Sequence, residues 1–304
     1  MKKFVIITVL MSMLISLYAV SAKVNYIPLF QYEQHSYGSQ RIISPSLGLL
    51  AQGESFQVIG LYSQHLFQEE LSNSYPDKSH SIEFLAENWK GRHQFINLFK
   101  SDSDEPLTGG LHTFQLASVW GYELVSRDNF KFVLGTGIGV SDFGIEMSEG
   151  NPLPVIPLPL IRMKSHSKWL DTKFDFITGP NFEFVIGPKE RVRLKGDVRI
   201  DQLRDSRDMI FNLSGEYRFF SENDPIGDFA GISFGLSSDN LSFDLAKEDE
   251  VFDYNYYSIF SKLDLSLLKI SSGYTFKNRE MYREEEKIEF EDGFTFSIQA
   301  LYQF

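Results

Sequence analysis

From Phe294 to Phe304 apolar and polar residues alternate. Phe294, Phe296, Ile298, Ala300, Tyr302 and Phe304 are apolar, Thr295, Ser297, Gln299 and Gln303 lie between them, and Leu301 alone breaks the pattern. A period of two marks a strand with one apolar and one polar face, and about eleven residues suffice for a tilted strand to cross a bilayer. The pattern recurs over Phe211–Phe219, Val192–Ile200 and Phe130–Val140, where small residues fill the second phase. Further candidate strands are Val24–Tyr32, Ile43–Leu50, Phe56–Leu66, Ile82–Asn88, Phe114–Leu124, Val155–Met163, Leu170–Ile177, Phe182–Ile186, Ile232–Leu245, Tyr257–Leu267 and Ile270–Phe276. Gln94–Phe99 fits a strand or a short helix equally well.

Turn chemistry separates these runs. Gln52-Gly53-Glu54, Ser126-Arg127-Asp128-Asn129 and Gly187-Pro188-Lys189-Glu190 are short, whereas Leu71–Lys78, Ser141–Asn151 and Asn278–Gly293 are longer and polar. Short turns at one end and long loops at the other are the habit of transmembrane barrels. The predicted fold is therefore all-β: a transmembrane antiparallel β-barrel of about 14 strands, between roughly 12 and 16, with the count unsettled around Trp89–Gly109 and Thr178–Asn181. A soluble β-sandwich also alternates, but it rarely sets Phe or Tyr at so many strand ends. No repeat of solenoid or propeller length is visible.

Composition sharpens this picture. The chain holds 28 Phe and 14 Tyr, so aromatics make up 15% of it, yet its mean hydropathy is slightly negative at −0.19. That combination excludes a bundle of membrane helices and suits a wall with lipid on one side and water on the other. A net charge of −12 and the lack of a basic face argue against nucleic-acid binding. With no cysteine, disulfides, thiol catalysis, lipoprotein acylation and cysteine metal sites are excluded.

Met1–Ala22 reads as a Sec signal peptide: Lys2 and Lys3 precede an apolar run from Phe4 to about Leu17, and Val20-Ser21-Ala22 offers small residues for cleavage. The expected domains are thus a signal peptide over 1–22 and a barrel over 23–304. On Val20-Ser21-Ala22, the alternating strands and the final strand ending in Tyr302 and Phe304, the chain resembles the uncharacterised outer-membrane β-barrel families of Gram-negative-type bacteria. The resemblance implies a location in the cell outer membrane and makes Tyr302 and Phe304 the C-terminal insertion signal. It also implies partners: outer-membrane lipids and lipopolysaccharide, with the barrel-assembly machinery and periplasmic chaperones during biogenesis. It carries over no binding residue and no cofactor.

If the apolar phase faces lipid, the polar phase faces a lumen. On this reading Arg193, Lys195, Asp197 and Arg199 line it from one strand, and Glu216 and Arg218 from the next. Lys173, Asp175, Glu183, Lys262, Asp264, Lys269 and Lys277 fall on the same phase, predicting a ladder of mixed charge. The Pro-rich stretch Asn151–Leu160 reads as a rim loop with a strand beginning late, near Leu158, because proline removes ladder donors. The acidic run Arg283–Asp292 lacks the ligand spacing of a calcium loop and reads as a solvated outer loop. Six scattered histidines and the absence of HExxH, GxSxG or a Walker loop predict no catalytic, cofactor or metal site; Ser165-His166-Ser167 is the one close Ser/His group. Three functions remain in view. The first is a passive small-solute channel leaning toward anions through Arg193, Lys195, Arg199 and Arg218. The second is a closed structural or surface-interaction barrel. The third is a rim hydrolase using His166 or His112.

Overall fold

The computed structural model describes residues 24–301 apart from 39, 69–75, 107–109, 142–153, 178, 188–191, 201–208, 220–229, 247–249, 266, 277–279, 284–285 and 290. The expected signal peptide over 1–22, the insertion pair Tyr302 and Phe304, and Lys277 lie outside the described residues.

The strands are β1 (Asn25–Tyr37), β2 (Gln40–Gln52), β3 (Phe56–Gln68), β4 (Lys78–Lys90), β5 (His93–Ser103) and β6 (Gln115–Arg127). Then come β7 (Phe130–Val140), β8 (Val155–His166), β9 (Leu170–Phe176), β10 (Pro180–Ile186), β11 (Val192–Ile200) and β12 (Met209–Arg218). The last six are β13 (Ala230–Leu245), β14 (Glu250–Leu265), β15 (Leu268–Phe276), β16 (Glu280–Arg283), β17 (Glu286–Glu289) and β18 (Gly293–Leu301). All join one sheet. Sixteen of them, β1 to β15 and β18, form a closed antiparallel barrel, sealed where β18 pairs with β1 from Leu29↔Leu301 to Tyr37↔Gly293. Closure gives every strand of the ring a neighbour on each side, although a short neighbour can leave part of a longer strand unpaired.

The expected count of about 14 is thus corrected to sixteen. Gln94–Phe99 belongs to a full strand, β5, paired with both β4 and β6, and Pro180 and Asn181 open a further strand, β10, with Pro180 opposite Phe176 of β9. Two other expectations also change. The acidic run is not a plain loop: it holds the end of β16 and all of β17, which pair with each other, and β16 also pairs with β14 at Asp253↔Tyr282 and Tyr254↔Met281. The Pro-rich segment enters its strand at Val155 rather than near Leu158.

The prolines fit because of the way β8 is paired. His166 N donates to Asn129 O and Ser141 N donates to Pro154 O, so the even residues of β8 direct their backbone groups toward β7. Pro157 and Pro159 are odd and direct their missing donors toward β9. That strand reaches only to Phe176, opposite Ile161, so among the described residues Val155–Leu160 has no partner on that side. Nothing is lost by the absent N–H groups.

Cross-strand register carries the alternation around the wall. Phe30, Leu47 and Tyr62 line up on one face, and Gln31, Ser46 and Ser63 on the other. The apolar face points outward: Leu47, Val192, Phe234 and Phe294 are each at least 60% exposed. Tyr26, Trp169, Tyr217 and Phe219 are exposed near the end that carries both termini, and Tyr274 and Phe294 near the other. The polar face is interior, because Arg162 on β8 reaches Glu87 on β4 through it at 3.0 Å. Among the described residues no helix is long and apolar enough to cross a membrane.

Two features shape the interior. At β7 the wall turns sharply inward. A Cβ on Gly135 would lie 2.0 Å from Trp120 O, and one on Gly137 2.1 Å from Ser118 O, so only glycine admits this approach of β6. Ile96, Ala117, Val119, Val133, Leu158 and Leu160 fill the resulting corner as a buried apolar cluster. At the mouth away from the termini, the long hairpin β13–β14 folds inward. Phe243 stacks on Phe252 at 4.4 Å, Phe67 meets Phe252 at 5.3 Å, Tyr37 meets Tyr254 at 5.6 Å and His35 meets Tyr256 at 5.0 Å. Phe252 and Tyr254 are fully buried.

The hairpin end is tied to β5, which stands opposite β13 on the ring of sixteen. Asp244 pairs with Ser103, Asp104 N donates to Asp244 O at 3.3 Å, and Ala246 N donates to Asp104 Oδ1 at 2.8 Å. The hairpin therefore spans the mouth and divides it.

Candidate functional site

The sequence-predicted lumen residues stand on adjacent strands in a register that sets Arg193 opposite Glu216, Lys195 opposite Ser214 and Asp197 opposite Asn212. Their apolar neighbours Val192, Leu194 and Val198 are exposed on the outer face, which puts all six candidates on the inner one. Glu216 is the centre. Its side chain is 4% exposed, and it receives Arg193 Nη2 at 3.3 Å, Arg218 Nε at 3.0 Å and a close contact from Lys195 Nζ. One carboxylate thus faces three cations. Arg193 is buried, and its Nε has no partner among the described residues. Its Nη2 lies at ion-pair distance from Glu216 without hydrogen-bond alignment.

Arg199 and Asp197 stand apart from this centre. Arg199 Nη2 lies 3.7 Å from Asp239 on β13, and Asp197 is opposite Glu183 on β10. The positive character continues onto β14 and β15, where Lys262 and the Lys269–Asp264 pair (3.9 Å) follow. A cavity of about 130 Å³ runs along this wall between Lys195, Asn212, Glu216, Lys262 and Asp264. The expected alternation of charge holds at Lys173, whose Nζ donates to Glu183 Oε1 at 2.6 Å.

A second centre was not singled out from the sequence. Arg162 is buried and donates to Asp175 Oδ2 through Nε at 2.9 Å and Nη2 at 2.7 Å, and to Glu87 Oε1 at 3.0 Å. With the Gln94 amide turned to suit its neighbours, its oxygen accepts from Trp89 Nε1 at 3.1 Å and from Arg162 Nη1 at 2.5 Å. The signal was present: Arg162 is the one charge in the run Val155–Met163, and it falls on the inward phase. Its partner Glu87 lies four strands away, and only the bend at β7 brings the two together.

The histidines separate in space. His166 makes a close Nδ1 contact with Asp171, but Ser165 points to the opposite face and the Ser167 hydroxyl donates to Leu170 O at 2.9 Å. Among the described contacts neither serine hydroxyl meets the His166–Asp171 pair. His112 sits in a short 3-10 turn, Leu111–Thr113. Among the described residues no group of three or more His, Asp or Glu side chains is placed to hold a metal ion.

No protein-family model matches the sequence, and no curated protein does. Among solved structures the chain is similar to Pseudomonas aeruginosa OpdK crystallised with vanillate, at 7% identity and a TM-score of 0.43 over 93% of this chain and 99% of that one. It is similar to Acinetobacter baumannii OccAB3 at 9% identity and a TM-score of 0.43, covering 93% and 100% of the two chains. A BenF-like porin from Pseudomonas fluorescens Pf-5 is 10% identical, with a TM-score of 0.39 over 93% and 99%.

Proposed function

We propose that this protein is an outer-membrane barrel that passes small hydrophilic solutes by diffusion, with a lumen that favours anions. One observation carries the reading: a closed wall of sixteen strands has an apolar outer face and a charged inner one. Such a surface is stable only with hydrocarbon outside and water inside. Barrels of about sixteen strands are wide enough for an aqueous channel, whereas about eight are filled by their own side chains. The excess of cations around Glu216, with Lys262 beyond it, supports an anion-leaning interior. The hairpin across the mouth restricts the path to the side lined by β6 to β12.

The same hairpin favours a second reading, a barrel closed at rest that serves as a structural or surface element. Planar-bilayer recording separates the two. A channel gives discrete current steps whose reversal potential in a salt gradient indicates anion preference. Neutralising Arg193, Lys195, Arg199 and Arg218 together is expected to move that potential toward cations. Folded protein, recognised by heat-modifiable migration on a gel, that inserts and stays silent would sink the channel and leave the closed barrel.

A further inference from the structure

Nearest the terminal end of the lumen, the charge ladder breaks its own rule. Lys131 on β7, Lys164 on β8 and Lys173 on β9 stand directly opposite one another in register. Like charges in cross-strand positions repel and weaken a sheet. Lys173 is relieved by Glu183 on its far side. Lys131 and Lys164 have no ion-pair partner among the described residues.

Both lysines line a cavity of about 140 Å³ whose other walls include Trp89, Arg92, Gln94, Glu123 and Arg162. The charge of Arg162 is spent on Asp175 and Glu87. Those two carboxylates exceed its charge by one, so Arg92, Lys131 and Lys164 stand against Glu123 and that one further negative charge, which leaves a surplus of one cation. On the other flank of Lys164 lies a larger cavity of about 430 Å³. Lys131 and Lys164 line this cavity too, but there Glu183, which meets Lys173, Asp171, which meets His166, and Asp128 set three carboxylates against three lysines. Unbalanced positive charge is concentrated in the smaller cavity.

From this juxtaposition we infer that the cavity between β4–β5 and β7–β8 binds a small multivalent anion of the carboxylate or phosphate class. The site is distinct from the Glu216 centre across the lumen. A bound anion would bridge Lys131 and Lys164, turning a repulsive pair into an attractive triad. Buried Arg162 and Gln94, with the more exposed Trp89, form the floor, and the two lysines are held over it by strands β7 and β8. The inference rests on reading the inner face as a water-filled lumen. It does not require that the barrel conducts.

Equilibrium dialysis tests it, using the full chain folded in detergent micelles and verified by heat-modifiable migration. The probes are radiolabelled inorganic phosphate and citrate, with chloride as competitor. Saturable binding of either probe is expected, weakened at least about tenfold in the Lys131→Gln/Lys164→Gln variant and unchanged in Lys100→Gln, where the altered lysine pairs with Asp102 elsewhere on the wall. Lys164→Glu adds a second, oppositely signed reading. It converts the like-charged row into an alternating one, so it should raise thermal stability while abolishing binding. Binding no stronger than that of chloride, or a double variant that binds as well as the unaltered chain, overturns the inference. A silent bilayer experiment leaves it standing.

Discussion

Glu216 shows how one residue can hold a stretch of charged wall. Arg193, Lys195 and Arg218 crowd within reach of it, and their mutual repulsion is tolerable only because a buried carboxylate sits among them. Replacing Glu216 by Gln keeps the shape and removes the charge. The variant is expected to lose roughly 2–4 kcal/mol of unfolding free energy in urea titration. Its bilayer currents, if the barrel conducts, should become more anion-selective, opposite in sign to the effect of neutralising the cations. At this scale the sequence was legible in kind: Arg193, Lys195, Asp197, Arg199, Glu216 and Arg218 could be assigned to one face because alternation alone decides the face. Which of them meet was not legible. Pairing depends on the register between β11 and β12, which alternation does not fix, and Arg199 faces Asp239 on β13 instead.

Among the elements, the β13–β14 hairpin departs most from what alternation implies. Ile232–Leu245 was recognisable as a strand, but nothing local says that its far half leaves the wall. The reason lies in residue types on the inward phase. Leu241, Phe243, Leu245, Phe252, Tyr254 and Tyr256 are apolar or aromatic where a lumen-facing strand would be polar. They can be buried only against Tyr37, Ile42 and Phe67 on the facing wall. Asp104 completes the closure by accepting from Ala246 N and donating its own amide to Asp244. Losing that carboxylate is expected to cost about 1–2 kcal/mol of local stability, and truncating Phe252 about 3–5 kcal/mol. The double variant Asp104→Ala/Phe252→Ala should therefore show larger single-channel conductance and more frequent switching between levels. Unchanged conductance would mean that the hairpin does not obstruct the path. The strand count failed at the element scale for a related reason. Gln94–Phe99 carries apolar residues on both phases, since Ile96 is buried in the glycine-made corner while Phe95 faces outward, and two apolar faces erase the period of two.

For the molecule as a whole, the barrel class could be read from sequence because every strand must repeat the same two-sided solution. An error in one element does not alter the sum. Its asymmetries could not be read: the corner at β7, the Arg162–Glu87 link across four strands and the low wall at β9–β10 all arise from contacts between distant segments. The low wall bears on association. Among the described residues the ladder has an unmatched side over Val155–Leu160, and an unmatched side in any β protein invites a strand from another molecule to dock there. Pro157 and Pro159 withhold the donors that such a strand would need, and the chain thus carries its own guard against recruitment by neighbours. Changing both to threonine should turn that flank into a template, so that native gels show dimers and larger species where the unaltered protein migrates as one. In a crowded membrane, where barrels drift past one another in a single plane, two missing hydrogens would then help keep each copy separate.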